Sequence, residues 1–531
     1  MMSSSSQQDE VDILGGQLAK LDDEIGTLMT KRAKIRCRLN QFRARTSVLP
    51  PEALSIIFQY ACDLPETANL DDDHRPVAIT SVSVHWREVA QSTPSIWNRL
   101  CLNLKNAKYA SEAAFNLLQL YFKNLGGQPI NLRLSLPENS GNRVLGDEDK
   151  HDGAATAESS DIPISSIFQF IIKDHPNKLR ALFINLFSLE WSNLFIQNIN
   201  PSVGLPNLNK IHIGWQQDII HNHNWKEPLP LQASLVPRLT DVSLTMASPS
   251  FQLPHAQITD LHLEDVAIDY CLHIINLCTS ATECHIFYPQ PPDDSEAEPP
   301  ENAITLNSTS CLGWAFGLQK WDVAFLKHYT FPSLQRFRCE DQGPDGLEDD
   351  DSTTEEEMRT LQRKFLSRCP KLTVYERAAD SFINWELNDL CDDLPDTVEE
   401  LYLRRVEAVE LDGCVNRLTR GADCTMEVFP HLKILELQGN FRYQFPDHAF
   451  SGLIGMVESR RRPLDEKYKD RFLLEELSLK WGTEIKPPPP PLTEDQEARL
   501  QELVNGGLKV TTTRDVQDEY RVWLPVKPVK A

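Results

Sequence analysis

The residue types best able to bind a metal ion lie close together near the middle of the chain. Thiolate and imidazole groups are the ligands that zinc prefers, and five of them occur between positions 271 and 285. Their spacings match no standard zinc finger, and lone cysteines in a reducing compartment act mostly as small buried hydrophobes. We therefore predict no metal site and no cofactor. The five residues are Cys271, His273, Cys278, Cys284 and His285.

No motif of a self-contained active site is present. The sequence has no glycine-rich phosphate loop, no Gly-x-Ser-x-Gly elbow and no His-Glu-x-x-His helix. Carboxylates are plentiful, but most cluster in acidic stretches whose Gly, Ser, Pro and Thr content is typical of disordered inserts. Such inserts could not hold two carboxylates at a catalytic separation, so we predict that the protein is not an enzyme. The three stretches lie near 138–161, 291–303 and 340–357.

Composition places the chain among ordinary globular proteins. Its 531 residues are 41% hydrophobic and 24% charged, which is enough for several domains with a sizeable core. No apolar run is long enough to span a membrane, and the first residues lack the basic and apolar regions of a secretory signal. We expect a location in the cytoplasm, the nucleus or both.

The net charge of −24 says little about the partners of the folded parts. Most of the excess lies in the three acidic stretches, which leaves the rest of the chain close to neutral. An acidic chain of this kind argues against nucleic acid as a partner, because phosphate binding needs basic surfaces.

The segment from 47 to 104 carries the most informative local pattern. Pro50 and Pro51 predict a helix start, because proline suits the first turn and its missing N–H is not needed there. Glu52 lies in that first turn, where a carboxylate stabilises the helix dipole. An apolar stripe and two tryptophans follow, more apolar surface than so short a segment can bury on itself, which predicts a partner. These residues are Leu54, Ile57, Phe58, Trp86 and Trp97.

This order of residues resembles the F-box, and most closely the F-box-like proteins abundant in fungi. In that family the module binds the small Skp-type adaptor of SCF-type cullin–RING ubiquitin ligases. The alternatives are a helical hairpin packed inside a larger domain, and a repeat scaffold whose F-box-like segment never meets a ligase. The resemblance implies adaptor contacts at Leu49, Pro50, Pro51, Glu52, Leu54, Ile57, Phe58, Trp86 and Trp97.

A heptad pattern precedes the F-box-like segment and predicts a coiled-coil-type helix over 8–46. Apolar residues alternate at three- and four-residue spacing, although Gly15, Gly16 and Gly26 each weaken the helix by up to about 1 kcal/mol. The a positions are Val11, Leu18, Ile25, Arg32 and Leu39, and the d positions are Leu14, Leu21, Leu28, Ile35 and Phe42.

Charges beside this seam disfavour a parallel pair, because Lys31 would face Arg36 of the other helix. An antiparallel arrangement instead brings Glu24 opposite Lys31. The sequence predicts antiparallel packing, either on another copy or on helices of the F-box-like segment.

A short strand-like pattern then recurs: apolar, two variable residues, apolar, one variable residue, apolar. A proline precedes many copies, and the pattern resembles the strand segment of leucine-rich repeats, although the spacing is irregular. An ordinary α/β domain with proline-initiated strands is the alternative. The copies begin at Leu179, Leu208, Leu239, Ile258, Leu334, Val398, Leu432 and Leu474, with weaker ones at Ala281 and Leu372.

The predicted architecture is therefore mixed α and β. It comprises the heptad helix, the helical F-box-like segment, an irregular leucine-rich-repeat-like α/β solenoid over 105–482, and a Pro-rich spacer and tail over 483–531. By resemblance, the F-box-like segment would bind the Skp-type adaptor. The repeats would bind a protein substrate that the sequence does not identify.

Overall fold

A computed structural model describes most of the chain, and the segments between the described ranges are not characterised. It divides into two compact units, one of residues 1–101 with 113–130 and one of residues 102–112 with 131–531. The described ranges are 4–43, 49–63, 75–104, 112–136, 164–187, 189–215, 229–246, 251–292, 297–317, 319–341, 355–379, 393–406, 408–419, 428–439, 447–461, 473–481 and 492–513.

The first unit is helical. Its longest element is a 40-residue helix, whose seam side chains from Leu14 to Leu39 are exposed. The remaining helices are short and pack on one another, and a 3-10 turn at Pro94–Trp97 closes their core. The helices are α1 Ser4–Arg43, α2 Pro51–Cys62, α3 Arg75–Val82, α4 Val84–Gln91 and α5 Glu112–Asn124.

Helix α5 belongs to the first unit, beyond the boundary at 104 that the sequence pattern suggested. The ring of Tyr121 in α5 meets that of Trp97 edge-on, with 5.0 Å between the ring centroids, and both side chains are fully buried. Apolar residues of α5 are thus part of the same core as Trp97.

The second unit is built on a parallel sheet. Among the described residues the sheet has fourteen strands, and their order in the sheet follows their order in the chain. They are β1 Arg99–Asn103, β2 Ile130–Ser135, β3 Leu179–Phe187, β4 Lys210–Trp215, β6 Asp241–Thr245, β8 Asp260–Glu264, β9 Glu283–Phe287, β11 Cys311–Phe316, β13 Arg336–Asp341, β14 Val374–Ala379, β15 Glu400–Val406, β16 Ile434–Gly439, β17 Glu476–Trp481 and β18 Lys509–Thr513.

Helices and two small ribbons connect these strands. Two parallel neighbouring strands need such a crossover connection, because the chain must return to the starting edge of the sheet before the second strand begins. The described helices are α6 Ile164–Phe168, α7 Leu189–Asn198, α8 Ile268–Leu277, α9 Gln319–His328, α10 Glu355–Ser367, α11 Ala408–Leu418, α12 Asp447–Arg461 and α13 Glu494–Asn505. The ribbon strands are β5 Leu229–Pro230, β7 Phe251–Gln252, β10 Ile304–Thr305 and β12 Tyr329–Thr330.

All ten strand segments predicted from the recurring pattern are confirmed as strands of this sheet. The prolines that precede them form turns. In each of four turns, the carbonyl of the first residue accepts the N–H of the residue three positions later. The proline is the second residue of the turn, the position at which its fixed φ fits. These prolines are Pro206, Pro237, Pro332 and Pro370. The apolar residue that starts each pattern is the last residue of the turn, and it points into the core.

Backbone hydrogen bonds also join neighbouring strands at the residues just before each strand begins. The carbonyl of Thr240 accepts the N–H groups of both Thr259 and Asp260, and the carbonyl of Thr259 accepts those of Thr282 and Glu283. The same two-to-one pattern continues to the last strands, so each strand is aligned on its predecessor. The ladder fixes the register, and with it the side chains that share a face.

One face of the sheet is the core. The central apolar positions are in register across the strands, and each is at most 2% exposed. This inner row comprises Leu182, Ile211, Val242, Leu261, Cys284, Leu312, Phe337, Tyr375, Leu401, Leu435 and Leu477.

A buried arginine connects three segments of the second unit. The Arg460 side chain is 1% exposed and donates to the carbonyls of Leu418, Phe429 and Val428 at 2.6, 2.8 and 2.6 Å. Arg460 thereby joins α12 to the end of α11 and to the turn before β16. Charge-assisted hydrogen bonds of this kind stabilise a buried guanidinium.

The structure narrows two of the predicted acidic inserts. Residues 340–341 belong to β13, and residues 355–357 begin α10. Glu298, within the predicted insert 291–303, forms an ion pair with Lys320 at 2.6 Å. The stretch 138–161 lies outside the described residues.

Candidate protein-interaction surfaces

The double proline sets the start of α2. Pro50 precedes the helix and Pro51 is its first residue, and the N–H of Leu54 donates to the Pro50 carbonyl at 3.1 Å. Glu52 lies in the first turn, as the sequence predicted, where its charge favours the helix dipole. This start fixes the rotation of α2, and therefore which side chains face inward.

The inward side of α2 holds two of the predicted contact residues. Leu54 is fully buried and Phe58 is 1% exposed, and the Phe58 ring lies 5.0 Å from that of Trp86. Trp97 is also fully buried, where its indole N–H donates to the Ala90 carbonyl at 2.8 Å. Leu54, Phe58 and Trp97 are therefore core residues of the described chain, and their predicted contact with an adaptor stays a prediction.

The other predicted contact residues lie at or near the surface. Ile57 is 46% exposed, Leu49 and Trp86 are half-buried, and the remaining three are exposed. Those three are Pro50, Pro51 and Glu52. The structure thus divides the nine predicted residues into a buried set and an accessible set.

A second apolar face of α2 points outward. Ile56, Ile57 and Tyr60 are 53%, 46% and 78% exposed, and we call these three residues the α2 strip. Sequence reasoning missed Ile56 and Tyr60, because the stripe of Leu54, Ile57 and Phe58 already explained the helix. The sequence did contain an indication of these two residues, because apolar residues occupy two faces of one short helix. A helix that packs against a single core needs only one apolar face.

The elements behind the α2 strip are held by specific hydrogen bonds. The Arg75 guanidinium donates to the Ala61 carbonyl at 2.8 Å, which ties the start of α3 to the end of α2. The Ser83 hydroxyl caps α4 by accepting the N–H of Trp86 at 3.1 Å. The corner between α3 and α4 carries two further exposed apolar side chains, Val82 and Val84. The strip is therefore supported by a packed helical core.

The second candidate surface is the face of the sheet opposite the inner row, which we call the outer face. Its central row is polar or aromatic at nearly every strand, unlike the inner row. In register it reads Phe183, His212, Ser243, His262, His285, Gly313, Arg338, Glu376, Tyr402, Glu436, Ser478 and Thr511.

Opposite charges alternate along the second half of the outer face. The Glu376 carboxylate lies 3.5 Å from the Arg338 guanidinium and 3.0 Å from that of Arg404. Further along, Lys480 pairs with Glu436 at 2.9 Å. Such pairing across neighbouring strands offsets the desolvation of each charge. It presents a partner with both donors and acceptors in a fixed array.

The first half of the outer face carries two histidines, His212 and His285, whose pKa is lowered. Burial, reinforced by the nearby His262, lowers the pKa of His212 to about 4. Burial likewise lowers the pKa of His285 to about 3, with His262 and Arg338 contributing. The Nδ1 atom of His212 lies 2.7 Å from the Ser243 hydroxyl. These imidazoles are hydrogen-bonding groups at neutral pH and carry no charge.

One glycine makes room for these rings. A Cβ atom at Gly313 would lie 2.5 Å from Nδ1 of His285 and 2.9 Å from the Phe287 ring. The His285 and Phe287 rings therefore fill the space where every other residue type would place its side chain. Aromatic surface is continuous here from β8 to β9, since the rings of His262 and Phe287 are 5.6 Å apart.

The cysteines and histidines between 271 and 285 do not converge. Cys271 is buried within α8, Cys284 lies on the inner row, and His285 lies on the outer face. Within the described ranges, no group of three His, Cys, Asp or Glu side chains is placed to hold a metal ion. In the same part of the chain, no helix is long and apolar enough to cross a membrane.

Comparison with known proteins gives little further information. No protein-family model matches the chain, and no curated protein matches it. Among solved structures, the chain is similar to one from the crystal structure of the Rad7 and Elc1 complex in yeast. That similarity covers 93% of this chain and 95% of that chain, at 10% identity and a TM-score of 0.29. A similarity at this TM-score carries no argument about the function of the chain.

Proposed function

We propose that the chain is a non-catalytic, substrate-recruiting subunit of an SCF-type ubiquitin ligase. In this proposal the α2 strip binds the Skp-type adaptor, and the outer face of the sheet binds a protein substrate. The second unit would then be an irregular leucine-rich-repeat solenoid. The observation that carries the proposal is the α2 strip, an apolar surface on a helix whose inward face already completes a core.

The α2 strip supports an adaptor role because it contributes little to folding. Leu54 and Phe58 fill the core from the same helix, whereas Ile56, Ile57 and Tyr60 remain in solvent. Fully burying a large apolar side chain is worth about 1.5–3 kcal/mol, so covering three of them favours association. Tyrosine is also among the residues most enriched at the centres of interfaces.

The outer face supports a substrate role for a different reason. Its polar groups are fixed by the strand register and by ion pairs such as Lys210–Asp241 at 3.0 Å. Prepositioned donors and acceptors lose little conformational entropy on binding, which favours recognition of one partner over others. The order of His, Ser, Arg, Glu and Tyr at successive strands would define that specificity.

In this proposal the chain supplies proximity and no chemical step. Holding a substrate beside a ubiquitin-carrying enzyme raises the effective concentration of the reacting groups. The ligase's other subunits would perform the transfer. An alternative consistent with the same sequence pattern is a scaffold that never meets an adaptor.

Co-purification with a Skp-type adaptor tests the proposal. We expect the full chain to retain the adaptor, and Ile57→Ser combined with Tyr60→Ser to reduce the retained adaptor at least tenfold. The combined loss of two central apolar anchors corresponds to about 2 kcal/mol or more. Far-UV circular dichroism and the melting temperature should be unchanged, because both side chains are exposed.

The matched control is Val203→Ser, which changes an apolar side chain of the second unit that is 48% exposed. It should leave adaptor retention at the wild-type level. Wild-type retention by the Ile57→Ser and Tyr60→Ser double variant would contradict the assignment of the α2 strip. No retention by the wild-type chain would favour the scaffold instead.

A further inference from the structure

The seam of α1 is an apolar surface that no described element covers. The seven apolar seam side chains that the structure describes are between 45% and 67% exposed, and they form a stripe along one side of the helix. A stripe of this length at heptad spacing is typical of a helix that pairs with another helix. The seven are Leu14, Leu18, Leu21, Ile25, Leu28, Ile35 and Leu39.

A parallel pair of α1 helices would place like charges together. In that arrangement Arg32, at an a position, meets Arg32 of the second helix inside the seam. Lys31, at a g position, faces Arg36 at the e position five residues on. All three side chains are exposed in the single chain, so a parallel partner would bring these positive charges directly against one another.

An antiparallel pair places apolar residues opposite one another along the described seam. Each a position then packs against a d position of the other helix. Ile25 meets Leu28, Leu18 meets Ile35, and Leu14 meets Leu39. Each of these contacts occurs twice, because the two helices are related by a two-fold axis. Together with the two Arg32–Leu21 contacts, they continue from one end of the described seam to the other.

The same antiparallel register pairs opposite charges. Glu24 and Lys31 both occupy g positions and face each other on one side of the seam. Arg32 faces Leu21 of the second copy, and the next residue of that copy, Asp22, can accept from the guanidinium. The charge that disrupts a parallel seam therefore gains a counter-ion in the antiparallel one.

The size of this contact indicates a reversible dimer. The described seam spans residues 14 to 39, about 38 Å at 1.5 Å per residue. Seven buried apolar side chains remove roughly 400–800 Å² per chain from water, at or below the usual size of a stable interface. We expect association to depend on concentration in the micromolar range.

We propose that α1 pairs antiparallel with α1 of a second copy of this chain. This pairing does not depend on adaptor binding, because the α2 strip lies on a different helix. It joins two chains through their N-terminal helices and uses no residue of the α2 strip or of the outer face.

Sedimentation velocity of the full chain, over about 1–100 µM, tests for the dimer. We expect Lys31→Glu to raise the dissociation constant about tenfold, because both Glu24–Lys31 pairs become repulsive. Adding Glu24→Lys to Lys31→Glu should restore it by reversing every pair. Lys34→Glu, the same charge change away from the seam, should have no effect.

The same series separates the two orientations. In a parallel dimer Lys31→Glu would face Arg36 and would strengthen association, which would overturn the proposal. A wild-type chain that stays monomeric throughout the concentration range would also overturn it.

Disulfide crosslinking gives an independent readout of orientation, in a Cys37→Ser, Cys62→Ser background. Leu14→Cys chains alone should not crosslink, because the antiparallel register holds the two positions about 38 Å apart. A mixture of Leu14→Cys and Leu39→Cys chains should crosslink rapidly. Efficient crosslinking of Leu14→Cys chains alone would contradict the antiparallel assignment.

Discussion

Replacing Arg460 with methionine should locally destabilise the second unit. Arg460 is 1% exposed, and its guanidinium donates to three main-chain carbonyls. Methionine keeps an unbranched apolar stem but is shorter and removes every donor. The carbonyls of Leu418 and Phe429 belong to buried residues, and both would lose the guanidinium donor. The Phe429 carbonyl would keep the N–H of Leu432, at 3.2 Å.

The loss at Leu418 costs about 1.5–2.5 kcal/mol and the loss at Phe429, which keeps one donor, about 1 kcal/mol, so we expect a destabilisation of about 2.5–3.5 kcal/mol. The residue of the third carbonyl, Val428, is half-buried, so that carbonyl can regain water and adds little. Arg460→Lys should be milder, because an ammonium can keep one or two of these bonds.

Hydrogen exchange followed by mass spectrometry is the suitable assay, since repeat-like units open locally. Peptides covering 408–418 and 434–439 should exchange about a hundredfold faster or more in Arg460→Met, while peptides of the first unit stay unchanged. The control Arg238→Met removes an exposed guanidinium with one bond to Asn207 at 3.0 Å, and should change exchange little. Unchanged protection of both peptides in Arg460→Met would refute this account of the arginine.

Two further predictions concern a glycine and a histidine. Gly204→Ala should lower stability by at least about 2 kcal/mol, because φ is +60° and the new Cβ would lie 2.2 Å from the Leu235 carbonyl oxygen. Gly126→Ala, at φ +58° with the new Cβ in ordinary contact with Cγ of Pro94 at 4.0 Å, should cost only about 1 kcal/mol in thermal or urea unfolding. Stability should fall as the pH drops from 6.5 to 4, because the unfolded chain protonates His212 before the folded chain does. The slope is at most about 1.4 kcal/mol per pH unit, and His212→Asn should flatten it; an unchanged slope would contradict the burial of this imidazole. Burial and the nearby Glu264 raise the pKa of Asp265 to about 6. Protonation of Asp265 therefore stabilises the fold as the pH falls, and this opposite contribution should be the same in the wild type and in His212→Asn.

The sheet was largely predictable because its strands share one pattern of apolar residues. Strand β11 was missed, since Thr309 occupies the first apolar position of its pattern. That hydroxyl is buried, yet it donates to the Ala281 carbonyl at 3.0 Å, so a polar residue fits a core position. Strand β18 was missed because its run of threonines lacks the apolar alternation.

The candidate adaptor surface was only partly predictable. A stripe at three- and four-residue spacing identifies the apolar side of a helix, but it does not distinguish a core from an interface. Phe58 and Ile57 belong to the same stripe in the sequence, and the structure buries one and exposes the other. That separation depends on where Trp86 and Trp97 pack, which is set by tertiary contacts distant in sequence.

The agreement between strand order and chain order has a consequence for how such sequences diverge. Each strand pairs with the strands next to it in the chain, so an insertion between two of them lengthens one connection and changes no pairing. Lengthening a loop is inexpensive, at about 0.6 kcal/mol per doubling. The connections here already range from the short one between β6 and β8 to the long one between β2 and β3. Descendants of one ancestral chain can therefore drift in repeat length until their sequences no longer align, while the sheet itself is retained.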